Sequence, residues 1–221
     1  MAETKPKTVK GEAREQILVA AKKLIVLHGV DGVSTRAINQ AAGVSAGILH
    51  YHFGNLEGVV EALLERHMVP LMKARLSAMQ SLEQQPEVTV RAVMDAVIMP
   101  LAKKLIDEGD TGVGYVRFLA RLYSDHNPTV TKIAGKYMGQ NPDITFRLLQ
   151  RALPHLAPQV IRLRTLPFAH GLLNTLADPN LFATETGGSQ ALSKKEKWKR
   201  VGTLIEFLCG GLSAPSDIKF E

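Results

Sequence analysis

The chain has 221 residues, 45% of them hydrophobic, which is enough for a large core and too many for a chain that stays unfolded. Its formal net charge of +6 permits a polyanionic partner, and its one cysteine, Cys209, excludes an intrachain disulfide and points to a reducing, intracellular setting. No apolar run reaches the ~18–20 residues that cross a bilayer, and the charged start MAETKPKTVKGEAREQ has no apolar run behind it, so the expectation is a cytoplasmic protein with no membrane partner.

Residues 1–11 read as a flexible arm in which Lys5, Lys7 and Lys10 face a single acid, Glu3. It is either a plain disordered terminus or a basic arm for a polyanion. From Glu12 the pattern turns helical. Ile17, Ala20, Ala21, Leu24, Ile25 and His28 fall on one face of a 3.6-residue helix, and Gly29 stands where a helix ends.

The stretch VSTRAINQAAGVSAGILHYHF, Val33 to Phe53, reads as two short helices around a tight turn. Ser34 is placed to cap the first, Thr35 to Ala42, whose small or apolar face is Ala37, Ile38, Ala41 and Ala42. Gly43 ends it, Val44 plugs the gap, and Ser45 is placed to cap the second, Ala46 to Phe53. Two helices joined by a short glycine-containing turn make a helix-turn-helix, and a chain so built binds DNA through the second helix. Asn55 and Glu57 then start a longer helix with Val59, Val60, Leu63, Leu64 and His67, which Pro70 is expected to kink or break before Leu71 to Gln85 resumes.

Residues Glu12 to His67 resemble the TetR family of bacterial transcriptional repressors. The resemblance is carried by Thr35, Ile38, the run Ala41 to Ser45 (AAGVS), Gly47, Leu49 and the run Tyr51 to Phe53 (YHF) at the family's spacing. It implies an all-α protein: a three-helix DNA-binding domain over residues 12–67, then a larger helical domain over 68–221 that dimerises and holds an apolar ligand pocket. There are departures. His50 stands where the family usually has tyrosine and Leu56 where it usually has lysine, both commonly phosphate contacts, and Asn39 replaces a small residue.

Helix geometry names the DNA-facing candidates. The N-terminal residues of a recognition helix face base edges, here Ser45, Ala46, Gly47 and Ile48, with His50 and Tyr51 a turn further on. Arg36 is the sharpest base reader, since arginine bonds bidentately to guanine; the plain alternative is a solvated surface charge. Ser34, Thr35, Tyr51 and His52 are candidates for phosphate and positioning contacts. Leu49 and Phe53 read as core.

The remainder is helical by pattern. Val88 to Ile106 is apolar on a wide face with a kink at Pro100, Glu108 to Gly114 reads as a loop, and Tyr115 to Tyr123 as a helix. Asp125 to Pro128 starts a helix that runs towards Leu153 with a disturbance at Pro142. Gln159 to Leu176 carries Val160, Ile161, Leu163, Leu166, Phe168, Leu172 and Leu173, and Leu181 to Leu192 reads as a loop or lid. Ser193 and Glu196 make a capping box for a last helix ending at Gly210-Gly211. The last two helices resemble the pair through which the family dimerises. A fainter resemblance, over Tyr115 to Leu176, is to members that respond to fatty acids or acyl thioesters.

Met72, Met94, Phe118, Tyr123, Met138 and Phe146 are the candidate pocket residues, although methionine at helical spacing also serves as plain core filler. Scattered histidines and one cysteine give no metal-site spacing and no catalytic constellation, so neither cofactor nor enzymatic activity is expected. The resulting expectation is a homodimeric repressor on a pseudo-palindromic double-stranded operator, released by a small lipophilic effector. The alternative is a helical enzyme or carrier for lipophilic molecules with a vestigial helix-turn-helix.

Overall fold

The computed structural model describes residues 10–124, 127–138, 142–182 and 192–218, and within them there are helices and no strand. In chain order they are α1 (Lys10–His28), α2 (Thr35–Ala41), α3 (Ile48–Phe53), α4 (Leu56–Glu83), α5 (Val90–Asp107), α6 (Asp110–Ser124), α7 (Pro128–Met138), α8 (Pro142–Ala152), α9 (Pro158–Ala177), a 3-10 turn (Pro179–Phe182) and α10 (Lys194–Ser213). Most of the arm, residues 1–9, lies outside the described residues, as do Asp125, His126 and most of the expected lid, 183–191. None of the described helices is long and apolar enough to cross a membrane.

Side-chain caps set many of the helix starts. Ser34 Oγ accepts from Ala37 N at 3.1 Å, Asn55 Oδ1 from Gly58 N at 2.9 Å, and Asn127 Oδ1 from Val130 N at 3.1 Å. Ser193 and Glu196 form the expected capping box. The apolar stripes of α1 (Ile17, Ala21, Ile25), α2 (Ile38), α3 (Leu49) and early α4 (Val59, Val60, Leu63) are buried together as a small head. α4 leaves that head and packs against α5, α7 and α8, while α6 packs against α1 on one side and α9 on the other. Head and body therefore share one hydrophobic cluster.

Several expectations are corrected. α1 already begins at Lys10, inside the stretch read as an arm. α4 is one helix through Pro70, neither broken nor restarted. Arg66 and Pro70 are exposed, so water can serve the carbonyl that proline leaves without a donor. The loop read over Glu108 to Gly114 shrinks to Glu108 and Gly109, because α6 starts at Asp110. Its Gly112 is there for close approach: a Cβ would run into the Lys104 carbonyl of α5. The helix read from Pro128 to Leu153 is two helices, α7 and α8. α10 continues through Gly210-Gly211 to Ser213. On α9, Val160, Ile161, Leu172 and Leu173 are buried, but Leu163 and Leu166 face outward. Ala41, expected on the inner face of α2, is exposed.

Candidate functional site

The α2–α3 turn is built from two devices. Gly43 has φ +68°, a left-handed conformation that glycine adopts without a Cβ clash. Asn39 is only 4% exposed, and both ends of its amide are engaged. Nδ2 donates to the Ala46 carbonyl at 2.8 Å, and Oδ1 accepts from Leu49 N at 3.3 Å. Its own carbonyl accepts from Val44 N at 3.0 Å. Asn39 thus serves an early backbone N–H of α3 from a different helix. This replaces the expected Ser45 cap: α3 begins at Ile48, its N-cap is Gly47, and no side chain caps it locally. Ala46 and Gly47 lie in the turn, not in the helix.

The predicted DNA-facing residues fall on one connected segment. Ser34, Thr35, Arg36, Ser45, Ala46, Gly47, His50 and Tyr51 are exposed, while Ile48 and His52 are half-buried. Ser34 is also the α2 cap, so its oxygen already accepts one bond. Tyr51 is 66% exposed and meets the His52 ring edge-on at 5.1 Å. Leu49 is buried and Phe53 half-buried, as core residues. No Asp or Glu occurs between Asp31 and Glu57, so the α2-turn-α3 segment carries no acid of its own. A segment of that kind imposes no repulsion on phosphate.

The head is fastened to its surroundings by polar contacts. Arg66 of α4 donates to both carboxylate oxygens of Glu15 in α1, at 2.8 and 2.7 Å, which holds that carboxyl below its usual range. Arg14 lies over the Phe53 ring at 5.2 Å. Asn127 Nδ2 donates to Asp31 Oδ1 at 2.5 Å, joining the α6–α7 loop to the α1–α2 loop. Between head and body, His67 stacks on Tyr115 at 4.5 Å. Burial pulls His67 down to about 4, and the Lys104, Lys22 and Arg66 charges add to the shift. It is therefore neutral at pH 7.

The body holds a cavity of about 310 Å³ between α4, α5, α6, α8, α9 and α10. Of the predicted pocket residues, Met72, Met94, Tyr123 and Phe146 line it. Phe118 does not; it is fully buried in the packed core. Met138 ends α7, and its side chain lies outside the described residues. Sequence reasoning missed Arg75 and Arg162 in the wall. Arg75 Nε donates to the Val97 carbonyl at 2.7 Å, one residue from the Ala96 carbonyl that Pro100 deprives of its helical donor. Burial draws its guanidinium down to about 10, which still leaves it charged at pH 7. Arg162 lies over Phe146 at 3.9 Å. No Asp or Glu lines the cavity.

Residues 17–63 match the family model for bacterial regulatory proteins of the tetR family, and residues 95–211 match that for the tetracyclin repressor-like C-terminal domain. The chain belongs to the TetR family. Over 93 residues this TetR-family chain is 31% identical to the HTH-type transcriptional regulator SrpR of Pseudomonas putida. That match covers 42% of the chain and 43% of SrpR, so it spans less than half of that relative. NalD, the secondary repressor of the MexAB-OprM multidrug efflux pump in Pseudomonas aeruginosa, has the same fold at TM-score 0.65 and 20% identity, over 94% of this chain and 100% of NalD. SmeT in its complex with triclosan has it at TM-score 0.57 and 19% identity, over 95% of this chain and 98% of SmeT. The TetR fold therefore extends over head and body together.

Proposed function

We propose that this TetR-family chain is a sequence-specific DNA-binding transcriptional regulator, a homodimeric repressor released from its operator by a small lipophilic ligand. The observation that carries this is the exposed, acid-free α2-turn-α3 segment, held in one geometry by Asn39. Residues 10–67, from the start of α1, are the DNA-binding domain and 68–221 the ligand-binding and dimerisation domain, with Lys5 and Lys7 ahead of α1 available to the DNA backbone. Arg36 reads a guanine, the Ser45 to His50 segment reads methyl groups and groove shape, and Thr35, Tyr51 and His52 hold phosphates.

Dimerisation falls to α9 and α10. Leu163, Leu166 and Phe207 (77% exposed) are apolar side chains with no cover in the monomer. A two-fold dimer on a pseudo-palindrome needs its recognition helices about 34–36 Å apart. A ligand in the cavity, against Met72, Met94, Tyr123 and Phe146, favours whichever dimer it binds better and shifts the population by that difference alone. An enzyme or carrier would leave the acid-free segment without a purpose.

Selection of genomic fragments by the purified protein tests the proposal. The expected result is an enriched pseudo-palindrome whose binding weakens steeply with salt. Arg36→Ala is expected to relax specificity at one base pair per half-site by ~1–3 kcal/mol. If no sequence is enriched, the chain is not this kind of regulator, and a loss uniform over all sequences makes Arg36 a phosphate contact.

A further inference from the structure

Arg75 is an uncompensated charge. Its Nε has the Val97 carbonyl, yet neither Nη nitrogen has a hydrogen-bond partner among the described residues, and none of the described ion pairs includes it. Neither Nη is sealed off, since among the described residues no buried side-chain nitrogen lacks a partner, and Arg75 is one of the residues that line the cavity. A guanidinium removed from bulk water without a carboxylate is costly, and proteins ordinarily pair it.

The rest of the wall repeats the imbalance. Its charged residues are Arg75 and Arg162, with no acid. Of the neutral polar groups, Thr145 Oγ1 is engaged with Met79 Sδ at 3.2 Å and Thr165 Oγ1 with the Arg162 carbonyl at 2.6 Å. The Tyr123 hydroxyl has no hydrogen-bond partner among the described residues and is held protonated by burial, so it is an available donor. The charges in the wall are all positive, Tyr123 offers a donor, both threonine hydrogens are already used, and the rest is apolar.

We propose that the cavity takes an amphipathic anion, with a carboxylate-like head on the Arg75 guanidinium and an apolar body against Met72, Met79, Met94 and Phe168. Two parallel N–H···O bonds from Nη groups suit a planar carboxylate, and they strengthen away from water. The cavity holds on the order of ten water-sized groups, which sets the scale of the ligand. This assignment rests on the cavity being the effector site.

Calorimetric titration of the full-length protein with decanoate, 1-decanol and decylammonium tests it. Decanoate is expected to bind about tenfold or more tighter than decanol, and decylammonium weaker than both. Arg75→Met removes the preference for the acid, Arg75→Lys keeps part of it, and Met94→Trp, which fills the cavity, abolishes binding. Circular dichroism confirms that each variant is folded, and Arg75→Lys carries the test if Arg75→Met is not. Equal binding of decanoate and decanol, an acid preference that survives Arg75→Met, or no binding by any carboxylate from octanoate to dodecanoate overturns the proposal. An operator-release assay separates the two readings. Decanoate bound without release keeps the anion site and removes the effector role; release by decanol alone keeps the effector role and removes the anion site.

Discussion

Two polar side chains, Asn39 buried in the head and Arg75 half-buried in the body, are treated in opposite ways. Asn39 has both ends of its amide engaged by backbone groups. Arg75 has one donor engaged and lines a cavity. A fully satisfied buried network fixes a single geometry, whereas a partly satisfied one leaves free energy for something to claim. The α2–α3 turn arrives already shaped, and on the proposed reading a bound anion completes the cavity.

That contrast can be broken at His67, Asn39 and Arg75, in falling order of expected effect. His67 lies between the two regions and is held at about 4, below its ordinary 6.5. From pH 6.5 down to 4 the unfolded chain takes up a proton there that the folded chain refuses. Its share of stability is therefore complete above pH 6.5 and falls by up to about 3 kcal/mol as pH drops to 4. Thermal melts of wild type and His67→Gln from pH 8 to pH 4 check this. The wild-type curve should fall more steeply, and parallel curves would show that head and body are not coupled through a neutral histidine.

Asn39→Ala leaves the buried Leu49 N–H without its acceptor and frees the Ala46 carbonyl. The expected cost is about 1–3 kcal/mol in urea denaturation at unchanged slope, with DNA affinity falling as well. An unchanged midpoint would mean that the turn is shaped by Gly43 alone. Arg75→Met, in the ligand-free protein, should change stability by less than about 1 kcal/mol in either direction, since it removes an uncompensated charge along with one hydrogen bond. A larger loss in the same urea assay would make Arg75 a structural residue like Asn39.

What was legible in the sequence was local. Caps at Ser34, Asn55, Asn127 and Ser193 act within one helical turn, and the Gly43 reversal is a property of one residue. The features that escaped are tertiary. Ser45 looked like a cap because the donor-satisfying group sits on the other helix, at Asn39. The glycines at Gly109, Gly112 and Gly114 looked like a loop because a close helix approach and a turn use the same residue. Leu163 and Leu166 looked inward because periodicity marks an apolar face without saying which neighbour covers it. Arg75 drew no notice, since a lone arginine on a helix is ordinarily solvated.

The continuity of α4 through Pro70 has a mechanical consequence. A helix of 28 residues is about 42 Å long, and Arg75 and Leu56 lie about 28 Å apart along it. The rod is both cavity wall and support of the head, so it magnifies: a 5° swing about Arg75 displaces Leu56 by about 2.5 Å. Movement too small to rearrange the cavity lining is thus large on the scale of the contacts between a side chain and a base edge.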